Sequence, residues 1–273
     1  MIRAKHRSIV STPTIRVSTR DLDLLSAPAP IYQTWRRRND ALNRALIGTP
    51  LPAIQTERRG ALFMRARGFY VDGRLVGRAL LCARELEVHD PLLGERTRVC
   101  AFVGSGGVLP EFDARIKIHT FVPEGLARFH ARRSWRDRRP SYLLATIANP
   151  ITAWLFARSM SAVYPHPHHE LPGYGRLRDE LVAQLYPELL TEASFSCPPP
   201  PNRDRPMLGE DPLLHAYDRL CAGWRDGKRT TLVVRCGRRD CLEAAGSVLA
   251  HQLAKKLRPS RPCPLPLDRS ATF

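Results

Sequence analysis

Between Arg98 and Pro167 the chain runs through four elements in a fixed order: an apolar strand containing glycines, a basic helix, a second apolar strand and a short helix opened by Asn149-Pro150. Residues 98 to 110 read RVCAFVGSGGVLP, small and β-branched side chains that suit a buried strand, with Glu111 and Asp113 near the start of the next helix. Residues 115 to 133 carry Ile116, Ile118, Phe121, Leu126 and Phe129 as the apolar positions of that helix. SYLLATIA (141 to 148) is the next strand and NPITAWLFARSM (149 to 160) the next helix. Strands and helices alternating in this way specify an α/β domain on a central sheet.

The flanking sequence extends this core on both sides. After the break at Ala27-Pro28-Ala29-Pro30, residues 31 to 48 read as a helix with Tyr32, Trp35, Leu42 and Leu46 near a 3–4 spacing, stopped by Gly48. The runs ALFMRARGFYV and RLVGRALLCARELEV are joined by Asp72-Gly73, a two-residue hairpin signal. Beyond Pro167 come a helix at about 173 to 190, four consecutive prolines within 197 to 206, a helix at 211 to 227, a strand at 230 to 236 and an amphipathic helix at 239 to 257. One strand between helices makes no sheet of its own, so the last unit packs on the main domain or on a partner. The expected division is an arm or first strand (1–26, with the strand around Thr14 to Ser18), a main domain (27–196), a stiff proline-rich connector (197–206), a C-terminal helical appendage (207–257) and a disordered tail (258–273).

The strand ending Val108-Leu109-Pro110, the helix after it, the strand at 141 to 148 and Asn149 together resemble the core of the GNAT acyltransferase superfamily, over roughly residues 55 to 167. The resemblance implies a mixed central sheet flanked by helices, with transfer of an acyl group from acetyl-CoA or another acyl-CoA to a small-molecule or peptide amine. It also implies that the coenzyme lies along residues 106 to 109, with Gly107, Val108 and Leu109 on the strand and Arg115, Lys117 and Ile118 over the helix start, and with Asn149 nearby. Main-chain N–H groups would polarise the thioester carbonyl. The family's [Q/R]-x-x-G-x-[G/A] turn reads here Asp113-Ala114-Arg115-Ile116-Lys117-Ile118, so isoleucine stands at both glycine positions and Arg115 and Lys117 offer side-chain charge instead. Seven residues after Asn149, where many members carry a tyrosine acid, stands Phe156. Residues 97 to 110 hold no carboxylate; Glu87, then Glu85, sharing one face near a strand end, are the candidates for a general base, or else two solvent-facing acids.

Composition bears on the partner. The net charge is +17, which points to an anionic partner, yet only five of the 43 basic residues are lysine, a skew equally explained by codon usage. Arg132, Arg133, Arg136, Arg138 and Arg139 beside Trp135 form the densest basic block; it either holds phosphate or closes a helix end. The acyl-CoA enzyme has two rivals: a non-catalytic protein of this fold that binds an acidic partner or nucleic acid, and an acyltransferase taking its acyl group from an acidic carrier protein. Seven cysteines in an odd count, with no apolar leader in the basic N-terminus, fit reduced thiols and a cytoplasmic protein. No apolar run approaches the ~20 residues of a membrane span. The cluster His166, His168, His169 and Glu170 lacks a distant partner pair, so no metal is expected.

Overall fold

A computed structural model describes residues 16–48, 51–116, 118, 120–134, 136–147, 149–186 and 211–244, with the backbone alone at 113–115. Among the described residues seven strands, β1 (Ser18–Asp23), β2 (Ala61–Val71), β3 (Arg74–His89), β4 (Arg96–Val108), β5 (Ser141–Ile147), β6 (Val163–Tyr164) and β7 (Thr230–Arg235), form one mixed sheet. Its order is β1-β2-β3-β4-β5-β7-β6. The β2–β3 hairpin turns at Asp72 (φ 48°) and Gly73 (φ 76°), both left-handed as the two-residue hairpin turn demands. β4 and β5 are parallel, because the chain crosses between them through α3 (Phe121–Arg132).

Period-2 patterning sorts the helices onto two faces. Leu81 and Ala83 of β3, Phe102 of β4, Leu143 of β5 and Val234 of β7 form a core with Phe121, Leu126 and Phe129 of α3, also covered by α4 (Pro150–Ser159) and α6 (Pro212–Leu220). On the other face Val99, Ala101, Val103 and Leu144 meet Leu177 and Leu181 of α5 (Tyr174–Leu185). There too Met64, Leu80 and Cys82 pack with Leu24 and with Tyr32 and Trp35 of α1 (Ala29–Ile47). A short helix, α2 (Ala53–Thr56), leads into β2. Each fully buried Leu or Phe stabilises the fold by about 1.5–3 kcal/mol, and both faces carry several.

The structure departs from the sequence expectations in four places. The helix expected from 115 starts at Phe121; Pro110–Arg115 is a 3₁₀ turn and Ile116 is extended and buried, its branched side chain packed into the core. The first strand lies at Ser18–Asp23, paired with β2, rather than around Thr14 to Ser18, of which 14 and 15 fall outside the described residues. The C-terminal unit packs on the main domain, one of the two expected outcomes, with β7 between β5 and β6, but the helix read over 211 to 227 ends at Leu220, followed by a 3₁₀ turn between Gly223 and Gly227, both left-handed. β6, two residues long, carried no sequence signal. The connector (197–206), the tail (258–273) and residues 245–257 lie outside the described residues.

Candidate ligand site where two central strands part

β4 is paired with β3 as far as Val108, opposite Gly77, but with β5 only from Cys100, opposite Ser141, to Gly104, opposite Ala145. The last residues of β5, Thr146 and Ile147, pair with Thr231 and Thr230 of β7. Two neighbouring strands inside the sheet therefore separate beyond Gly104. The direction of the main-chain groups comes from alternation: Cys100 N–H donates to the Pro140 carbonyl on the β5 side at 2.8 Å, and Leu109 N–H to the Val76 carbonyl on the β3 side at 2.8 Å. Even-numbered residues of β4 thus face β5, and Gly106 points its N–H and carbonyl into the gap. Gly106 is exposed, whereas Ala101, Phe102 and Val103 on the same strand are buried. An interior strand that turns an unladdered peptide to solvent offers hydrogen bonds to a ligand, because main-chain groups require partners.

Gly104-Ser-Gly-Gly107 produces this geometry by leaving out side chains. A Cβ on Gly106 would stand 3.0 Å from Ile118 Cδ1 on one face, and a Cβ on Gly107 would stand 2.7 Å from Leu46 Cδ1 of α1 on the other. The segment before α3 and the end of α1 can therefore close on the strand from opposite sides.

On the α1 side the floor of the opening is a buried polar cluster. Arg78 of β3, 4% exposed, donates to Ser105 Oγ at 2.8 Å and to Asn43 Oδ1 of α1. Ser105 Oγ donates to Gln55 Oε1 of α2 at 2.8 Å, and Gln55 Nε2 donates to the hydroxyl of Tyr186, just past α5, at 3.0 Å. Burial, and next the field of Arg229, push the Arg78 guanidinium down to about 10.

Of the site residues expected from sequence, the structure brings part together. Gly107, Val108 and Leu109 border the gap, Val108 and Leu109 being buried, and Ile118 leans against Gly106. Asn149 caps α4: its Oδ1 accepts from Thr152 N–H at 3.1 Å and from Thr152 Oγ1 at 3.3 Å. The Arg115 side chain and Lys117 lie outside the described residues. Glu85 and Glu87 are not brought to the opening. Leu80 stands opposite Ser105, and Glu85 is five residues further along β3, about 16 Å at strand rise. Glu85 is ion-paired with Arg139 and Arg98, and Glu87 with Arg96. Phe156, seven residues after Asn149, packs against the core.

The cluster of Arg78, Ser105, Asn43, Gln55 and Tyr186 escaped the sequence reading, although one signal for it exists. Arg78 shares the parity of Leu80 and Cys82 in VGRALLC, a charge at a core position of an alternating strand. Within the basic block Arg133 binds Asp137 and Ser141, Arg139 binds Asp137 and Glu85, and Arg132 pairs with Asp23, while Arg132, Arg136 and Arg138 are exposed. Arg132, Arg133 and Arg139 line a hollow of about 310 Å³ with Phe63 and Phe129.

Among the described residues no group of three or more His, Cys, Asp or Glu is arranged to hold a metal, and no helix is long and apolar enough to cross a membrane. Cys82, Cys100, Cys221 and Cys236 are buried free thiols, and burial raises Cys82 to about 11. Compared with known proteins, the chain matches no family model and no curated protein.

Proposed function

We propose that the protein is an N-acyltransferase of GNAT-like fold that accepts acyl-CoA and transfers the acyl group to an amine. The observation that carries this reading is the parting of β4 from β5 at Gly104, with the exposed Gly106 peptide facing the gap. The opening fits a pantetheine arm, an extended chain whose amides can take up hydrogen bonds that β5 leaves unmade. A thioester bound there supplies an activated acyl carbon. The Gly106 N–H is placed to hold the carbonyl oxygen as negative charge develops, a contribution of roughly 2.7–4 kcal/mol for one preorganised donor. The polar floor at Ser105 and Arg78 orients the acceptor so that its nitrogen meets the carbonyl carbon. The C–N bond forms as the C–S bond breaks, and the proton lost by nitrogen balances the one taken up by the departing thiolate. Phe156 donates no proton, so the thiolate is protonated from water.

One observation favours a carrier-protein donor as a second reading. At the start of α3, Phe121 N–H is already given to the Ile118 carbonyl and Glu124 N–H to the Thr120 carbonyl, while Pro123 has none. The Glu124 carboxylate adds negative charge to the same turn. This helix start is a poor cradle for a diphosphate and matters less for the single phosphate of a carrier arm.

The test is calorimetric titration of the full chain and of Gly106→Val with acetyl-CoA, longer acyl-CoAs and an acyl-carrier protein. Binding of an acyl-CoA, weakened at least about tenfold in the variant, supports the first reading. Binding of the carrier alone selects the second, and no binding of any donor overturns both.

A further inference from the structure

Arg78 is anomalous among the buried cations. Arg65, 5% exposed, meets Asp21 and Glu124, and Arg133 meets Asp137. Among the described residues Arg78, 4% exposed, meets only the neutral oxygens of Ser105 and Asn43. Its Nε is buried and has no hydrogen-bond partner, so at least three of five guanidinium N–H groups have no acceptor among the described residues. The acid whose field it feels, Asp40, is itself engaged, accepting from Leu51 N–H at 3.1 Å and lying 3.9 Å from Arg36. The field that opposes it is that of Arg229, which precedes Thr230 at the head of β7, opposite Ile147 at the departing end of β5. Arg229 therefore brings a second positive charge within reach of Arg78, beside the end of β5 that leaves β4. A buried cation without a counter-charge is strongly destabilising unless an anion supplies one.

We infer that the Arg78–Ser105–Asn43 cluster, with the charge of Arg229 nearby, binds a carboxylate carried by the acceptor, so that the substrate is an amino acid or a related amine bearing a carboxylate. The planar two-oxygen anion matches the side-on fork of Nε and a terminal nitrogen. Ser105, one residue from Gly106, ties the recognition of that carboxylate to the place of transfer. The naming of the acceptor rests on the acyltransferase reading; the anion site does not.

The test separates the two. The full chain is titrated, without donor, with glycine, alanine, glutamate and phenylalanine, with their amides, and with inorganic phosphate, read by calorimetry and thermal shift. At least one acid binds and raises the melting temperature, its amide binds about tenfold or more weaker, and Arg229→Gln and Ser105→Ala each reduce that preference while leaving circular dichroism unchanged. Equal binding of acids and amides, binding of phosphate alone, or failure of every acid overturns the inference. Titration with acyl-CoA in parallel reports on the donor independently, so an anion site with no donor site overturns only the naming of the acceptor.

Discussion

Arg78 and Tyr142 show two ways in which a buried polar side chain is accommodated. Tyr142 donates to Asp90 Oδ2 at 2.7 Å, and Asp90, fully buried, also accepts from Leu92 and Leu93 N–H at 2.8 and 3.1 Å. The group is complete, and it locks the β3–β4 turn against the sheet. Tyr142→Phe is expected to lower stability by about 1.5–3 kcal/mol, the range for a hydrogen bond to a charged group, measured by urea unfolding; a loss under about 0.5 kcal/mol would deny the bond its role. Arg78 is incomplete by comparison, which is why it marks a site rather than a strut. Sequence alone could place both residues in strands, but not tell these states apart. Satisfaction depends on Asn43, Gln55 and Asp90, which lie 35, 23 and 52 positions from the groups they serve or border.

At the scale of elements, the edge strand β1 is held by ion pairs as well as by its ladder. Asp21 engages Arg67 and Arg65 of β2, which also reach Glu124 of α3. The hydrogen bond from Arg67, working against burial and helped by Arg65, holds the Asp21 carboxyl at about 2. Since the folded state binds this proton more weakly than the unfolded chain does, the stabilisation is full above the ordinary carboxylate value of about 3.9. It is lost as pH falls toward 2. Amides of β1 are therefore expected to lose hydrogen-exchange protection between about pH 4 and 2 before those of β4; simultaneous loss would show that Asp21 does not hold the edge. A second element depends on one acid. Asp211 caps α6, accepting from Leu213 N–H at 2.9 Å, and it also accepts from Trp154 Nε1 of α4 at 3.0 Å. Asp211→Ala is expected to cost about 1 kcal/mol through the cap, and somewhat more through the unpaired indole, with Asp211→Asn recovering part of it in the same unfolding assay. The Asp72-Gly73 hairpin and the helix ended by Gly48 were legible because each rests on a local backbone requirement. The start of α3 was not, because Ile116 answers to the core rather than to helix periodicity. Nor was the place of β7, set by pairing with β5 some 90 residues earlier.

For the whole molecule, the ladder between β4 and β5 stops at Gly104 among the described residues, and the candidate site lies there. The exposed Gly106, the polar floor on the α1 side and the head of β7 lie around one gap. The glycines that open it were visible in the sequence, and so was the order of elements along the chain around them. The acids read as a base were placed by their own strand, and β3 carries Glu85 and Glu87 to the opposite end of the β4–β5 pair. Three of the five arginines of the basic block are tied to Asp23, Asp137 and Glu85, so part of that block's charge is met within the chain. The central claim concerns a single peptide, and amide hydrogen exchange at Gly106, with Gly104 as internal control, tests it most directly. Gly106 is predicted to exchange rapidly in the free protein and slowly with a saturating acyl thioester, while Gly104 stays protected in both. A Gly106 amide already protected in the free protein, or unchanged by acetyl-CoA, longer acyl-CoAs and an acyl-carrier protein alike, would contradict the account.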